Sequence, residues 1–220
     1  MNYYRTKVFW DMEFTGLHQN TTLISIGLVA DVMMGHRFYA ELTDYDETQV
    51  DEWIEEHVIG NLRYKDKEPF FKKSGKESFY DKNNPGQYSV EMKGTKEQVA
   101  EELEKWFYAL MNTTEDDIDS PLIEMWSDCL AYDWMLFNQL WGHAFNIPKI
   151  IYYIPFDICT LFNMCGIDPD ISREEYAYVP EIDYDSKHNA EFDAEIIRRC
   201  HNQLMEEPNK DCRTGTQVKY

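Results

Sequence analysis

The sequence predicts one mixed α/β sheet of five strands with helices packed on it, and three observations predict it. Residues 7–42 hold three strand-like runs joined by short connections. The chain then alternates helix-period segments with further strand-like runs. No internal repeat and no linker divides it, so residues 1–220 read as a single domain.

Taken in order, residues 7–14 (KVFWDMEF) and 22–30 (TLISIGLVA) are dense in β-branched and aromatic side chains, and 36–42 (HRFYAEL) alternates apolar and polar. Their short connections favour an antiparallel meander. From Asp46 to Leu62, Val50, Trp53, Ile54, Val58 and Leu62 recur at three and four, one face of a helix. Residues 63–94 have no sustained period and carry prolines and glycines among lysines, which reads as an insertion loop with room for a short hairpin.

Thr95 and Gln98 form a capping-box pair, and Val99, Leu103, Trp106, Phe107 and Leu110 supply the apolar face of the helix they open. A strand at 122–127, a helix at about 129–145, a strand at 149–154 and a helix at about 157–164 follow. Residues 168–187 are acidic and contain proline, hence loop; the final helix spans about 190–206, and 207–220 is a loose polar tail.

The chain carries 21 Lys and Arg against 41 Asp and Glu, a formal charge of -20, which taken alone argues against a polyanionic partner. The charge is uneven. Residues 60–96 hold 9 basic and 5 acidic residues, so this segment is the expected guide for a phosphate-bearing strand through Lys72, Lys73 and Lys76. Its Phe70, Phe71, Phe79, Tyr80 and Tyr88 are the candidate stacking residues. No stretch reaches the length of a membrane span, and the N-terminus has no signal-peptide pattern. Five widely spread cysteines without a C-x-x-C pair read as reduced, mostly buried thiols in the cytoplasm.

Three groups of residues carry chemistry. Asp11 and Glu13 lie two apart in the first strand and project from one face, flanked by Val8, Phe9, Trp10 and Phe14. Like charges there are costly without a compensating cation, and Mg²⁺ or Mn²⁺ takes such hard oxygen ligands. Thr15, Gly16 and Leu17 turn the chain at the strand end, where Gly16 permits close backbone approach to a ligand. Asp133 falls on a helix face otherwise made of Leu130, Trp134, Phe137 and Leu140. Asp128 is a rival carboxylate whose position at the strand-to-helix junction suits a cap. Finally, His188 stands just outside a helix capped by Asn189, with Asp193 on its second turn, and a neutral-range imidazole beside a carboxylate cluster suits a general base.

Together VFWDMEFTGL (8–17), WSDCLAYDWMLFNQLWG (126–142) and HNAEFDAE (188–195) resemble the DEDDh group of 3′-5′ exonucleases, the superfamily of RNase T, oligoribonuclease and polymerase proofreading subunits. Within it they look most like the small bacterial and phage exoribonucleases similar to the mycobacterial RNase-T-like enzyme. The resemblance covers roughly 1–42 and 122–205, and nothing is carried over to 63–94. It implies an RNase H-like sheet, a three-strand meander followed by parallel strands. It also implies two divalent ions, Mg²⁺ or Mn²⁺, on Asp11, Glu13, Asp133 and Asp193, with His188 as general base. Leu17 would pack on the terminal base, with Met12, Thr15 and Gly16 near the sugar. The expected activity is hydrolysis of single-stranded RNA 3′ ends to 5′-mononucleotides, in a chain that could form a homodimer. A DNA exonuclease on the same scaffold and a catalytically silent binding module are the alternatives. A zinc site from Cys200, His201 and Cys212 is a further reading, disfavoured by its spacing.

Overall fold

The computed structural model describes residues 5–32, 35–74, 88–178 and 187–206. The strands are β1 (Thr6–Phe14), β2 (Leu23–Ala30), β3 (Arg37–Leu42), β4 (Phe70–Ser74), β5 (Ser89–Gly94), β6 (Ile123–Ser127) and β7 (Phe156–Asp157). They form one seven-stranded sheet in the order β4-β5-β3-β2-β1-β6-β7. β1, β2 and β3 are the antiparallel meander, while β6 runs parallel to β1 and β7 parallel to β6. That five-stranded kernel, with helices on both faces, is consistent with an RNase H-like α/β fold.

The expected count of five strands is corrected to seven. The ends of the segment read as an insertion loop join the sheet, β4 antiparallel to β5 and β5 parallel to β3. The alternation in β5 is real, with Val90 and Met92 buried between polar neighbours, but it lasts only six residues. β4 hides because it is an edge strand whose lysines face solvent, as edges that avoid further pairing do. Residues 75–87, with Lys76, Phe79 and Tyr80, lie outside the described residues. Tyr88 is a core residue, 1% exposed, rather than a stacking platform. The strand expected at 149–154 is not continuous. Ile151 makes a single parallel bridge to Ile123, because a bond from its amide to the Pro148 carbonyl folds the chain into a turn, and pairing resumes at Phe156 beyond Pro155.

The helices are α1 (Glu52–His57), α2 (Lys96–Met111), α3 (Leu130–Leu140), α4 (Ile158–Met164), α5 (Arg173–Tyr176) and α6 (Ala190–Glu206). The single helix expected over 46–62 is shorter, since Asp51 caps a fresh start by accepting from the Ile54 amide. α3 stops at Leu140, two residues before Gly142 with its φ of 74°. α2 begins with the predicted capping box. α5 lies within the segment read as loop, and the expected tail at 207–220 lies outside the described residues.

Strand alternation sorts β1 between two cores. Val8, Trp10 and Met12 join Phe38, Trp106, Phe107 and Phe137 on the face covered by α2 and α3. Phe9 joins Ile158, Phe162, Ile196, Ile197 and Leu204 on the other face, under α4 and α6. Asp11 and Glu13 continue the Phe9 face. Cys165 is disulfide-bonded, and of the free thiols Cys129, Cys159 and Cys200 only Cys200 is buried, which corrects the expectation of reduced, mostly buried cysteines. Among the described residues no helix is long and apolar enough to cross a membrane.

Candidate metal centre

β1 and β6 are parallel neighbours, so their C-terminal ends open at the same end of the sheet, where α/β proteins place ligands. β1 brings Asp11 and Glu13 there, 8% and 9% exposed. The residue after β6 is Asp128, and the first turn of α3 carries Asp133, fully buried. α6 lies across β1 and β2 and supplies Asp193. Carboxylate oxygens of Asp11, Asp128 and Asp133 lie within 4.8 Å of one another, as do those of Asp11, Glu13 and Asp193. Asp11 therefore belongs to both groups.

Two cations reach the rim of this cluster: Arg173 at its Asp128 corner, 3.4 Å from Asp128 Oδ2 through Nε, and Lys187, which is paired with Glu174 and acts on Asp193. Burial raises the pKa of Asp11 well above the carboxylate range, and Asp133, Asp193, Glu13 and Asp128 raise it further. Burial likewise raises Glu13, followed by Asp193, Asp133 and Asp128. Asp133 is raised by burial and by Asp128, against a hydrogen bond from the Ser127 hydroxyl to its Oδ2. Asp193 is pushed up to about 8, by burial first and then by Asp128 and Glu174, against the backbone N–H of His188 that its carboxylate accepts. The other oxygen of Asp133, Oδ1, is buried with no hydrogen-bond partner among the described residues. An all-oxygen donor set, short of positive charge and holding an orphaned carboxylate oxygen, fits a hard divalent cation.

His188 has a φ of 61°, in the left-handed region, which turns the chain just before α6. Asn189 caps the helix as expected, accepting from the Phe192 amide, and its side chain is in turn held by Arg63. The His188 Nδ1 lies 3.9 Å from Glu13 Oε1. Its ring meets Trp53 edge-on at 5.2 Å, and Trp53 stacks on His57. Burial lowers the His188 pKa, helped by Lys187 and His57 and opposed by Glu174, so the imidazole is neutral at pH 7 and able to accept a proton.

A cavity of about 630 Å³ opens on the cluster and on His188. Gly16 and Leu17 line it, Leu17 being 69% exposed. Met12 borders it, but its side chain is 3% exposed and belongs to the core on the opposite face. Thr15 does not line it; its buried hydroxyl ties the turn together through the Thr22 amide and Gln49.

Sequence reasoning missed three residues of this site. Asp128 is not the cap of α3, whose N-cap is Cys129 without a side-chain bond; it faces the cluster instead. Its place directly after a strand parallel to β1 was the available signal. Arg173 and Trp53 also line the cavity, and neither stands in a motif. Of the lysines expected to guide substrate, Lys72 and Lys73 are elsewhere: β4 is four strands from β1, about 19 Å at the usual strand spacing. Lys72 there pairs with Glu91, and Lys73 lies over the Phe71 ring. Among the described residues Cys200 and His201 belong to no metal-ligating group. The Cys200 thiol donates to the Arg173 carbonyl, His201 packs against Phe9 and Trp126, and Cys212 lies outside the described residues.

No protein-family model matches the chain, and no curated protein matches it.

Proposed function

We propose that the chain is a 3′-5′ exoribonuclease of the DEDDh type, removing 5′-mononucleotides from single-stranded RNA 3′ ends with the help of two divalent ions, Mg²⁺ or Mn²⁺. The observation that carries this reading is the convergence on Asp11 of carboxylates from three separate elements, with a neutral imidazole beside Glu13. Asp11, Glu13, Asp133 and Asp193 are the ligands in this reading. When bound, such ions supply Lewis acidity that favours attack at phosphorus and departure of the 3′-oxygen.

The chain's own residues do the rest. His188 takes the proton of the attacking water, and its lowered basicity keeps it free to do so at neutral pH. The Trp53 edge limits where its ring can turn. Leu17 at the cavity mouth offers an apolar surface to the terminal base. The carboxylates would repel a phosphate in the ion-free protein, so substrate binding follows metal binding.

The test is a time course on matched 5′-labelled single-stranded RNA and DNA oligonucleotides with Mn²⁺, with and without chelator. Stepwise shortening of RNA from the 3′ end, abolished by chelation, is the expected result. Faster shortening of DNA would replace RNA as the substrate, and no shortening of either would overturn the reading.

A further inference from the structure

Resting on that reading, we infer that Asp128 is a fifth metal-ligating carboxylate, completing with Asp11 and Asp133 a three-carboxylate position for one divalent cation. Asp11, Glu13 and Asp193 form the other group of carboxylates that would hold a cation, and the two groups share Asp11. Three independent features carry the inference. The Asp128 oxygen lies within 4.8 Å of those of Asp11 and Asp133, and its carboxylate, which accepts from the Asp128 and Cys129 amides, does not cap α3. Asp133 beside it is fully buried and has one oxygen, Oδ1, with no partner among the described residues, while Ser127 takes the other. A buried carboxylate oxygen left without a donor is what a missing cation would leave.

The third feature is Arg173. Its guanidinium donates through Nη1 to the Ile171 carbonyl and through Nη2 to the Cys159 sulfur at 2.8 Å. Nε then faces Asp128 Oδ2 at 3.4 Å. Five carboxylates exceed the charge of two divalent ions by one, and with Lys187 paired to Glu174, Arg173 supplies the remaining positive charge at the Asp128 corner. A carboxylate kept only to pair with Arg173 would not need to sit against two others of the same sign, which costs free energy in the ion-free protein.

The experiment is a calorimetric Mn²⁺ titration of the wild-type chain and of Asp128→Asn, with the melting temperature of each measured in chelator. The expected result is two binding events in the wild type, one of them weakened roughly tenfold or more in Asp128→Asn, and the other little changed. Without metal, Asp128→Asn should melt no lower than wild type, because a repelling charge has gone. Unchanged Mn²⁺ binding together with a lower metal-free melting temperature would overturn the inference and leave Asp128 as a partner of Arg173 only. Wild type that binds no Mn²⁺ would overturn the nuclease reading as well, so the two failures are distinguishable. Should Asp128→Asn not fold, anomalous diffraction from Mn²⁺-soaked wild-type crystals decides. A manganese peak at coordination distance from an Asp128 oxygen, about 2.0–2.6 Å, supports the inference, and peaks only beyond that range overturn it.

Discussion

Gly27 stands directly across the β1–β2 ladder from Asp11, and a Cβ at Gly27 would lie 2.1 Å from the Glu191 amide nitrogen. The first turn of α6 thus rests on bare backbone opposite the central carboxylate. The neighbour of that missing Cβ is backbone and cannot swing away. Gly27→Ala must therefore lift the start of α6, and with it His188 and Asp193. A stability loss on the order of 3 kcal/mol is expected in denaturant unfolding, the upper range for overpacking. Mn²⁺ affinity and hydrolysis should fall with it; a variant that keeps both would show that α6 can shift without disturbing the site.

His188 and Asp193 should separate in their effects although they are neighbours on the chain. Asp193→Asn removes a ligand and is expected to lose both activity and tight Mn²⁺ binding. His188→Ala removes the proton acceptor but no ligand, so calorimetric Mn²⁺ binding should persist while turnover drops by roughly 10²–10⁴. Near-wild-type turnover in His188→Ala would assign the proton to another group.

The metal-free protein should lose stability as pH rises. Asp193 titrates near 8 in the fold against about 3.9 unfolded, so between these values the native state binds more protons. Asp11, Glu13 and Asp133 are raised for the same reason of burial and act in the same direction. His36, His188 and His201 act the other way, since burial lowers them and their contribution is lost as pH falls below about 6.5. From about pH 6.5 to about pH 8 the melting temperature in chelator should therefore decline. Added Mg²⁺ binds the deprotonated carboxylates, so its stabilising effect should widen over the same interval. A flat chelator curve would mean that the cluster is already compensated.

The site was legible where a charge interrupts an apolar pattern. Asp11 and Glu13 break the inward face of β1, and Asp133 breaks the apolar face of α3, so periodicity alone exposes them. Asp128 was not, because at a strand end a carboxylate fits a cap as well as a ligand, and only the parallel pairing of β1 with β6 brings it to Asp11. Arg173 and Trp53 reach the cavity from α5 and α1, through tertiary packing that no local spacing encodes. In the fold, the strands buried on both faces announced themselves, as the uniformly buried β2 does. The two-residue β7 is too short to show a pattern, and the lysine-bearing edge β4 is exposed along both faces, so neither carries the alternation that marks a half-buried strand.

Leu17 offers a test of the base contact that is nearly free of stability effects. At 69% exposure its truncation should change stability by less than about 0.5 kcal/mol. If it packs on the terminal base, Leu17→Ala forfeits about 1–2 kcal/mol of substrate contact and raises KM roughly five- to thirtyfold, with kcat little changed. An unchanged KM would remove Leu17 from the substrate path.

Strand guidance by the lysines of β4 can be weighed by distance. Lys72 and Lys73 sit four strands from β1, about 19 Å away, beyond the roughly 8 Å over which exposed charges act at physiological salt. Lys72 is further occupied by Glu91 at 2.7 Å, and Lys73 by the Phe71 ring. A long-range pull on substrate at the cavity would also have to overcome the acidic remainder of a chain whose net charge is -20. The double variant Lys72→Gln, Lys73→Gln should therefore leave KM on a short oligonucleotide within about twofold of wild type, and leave its salt dependence unchanged. A KM that rises with a flatter salt dependence would mean that bound strand reaches β4, extending the substrate path across the whole width of the sheet.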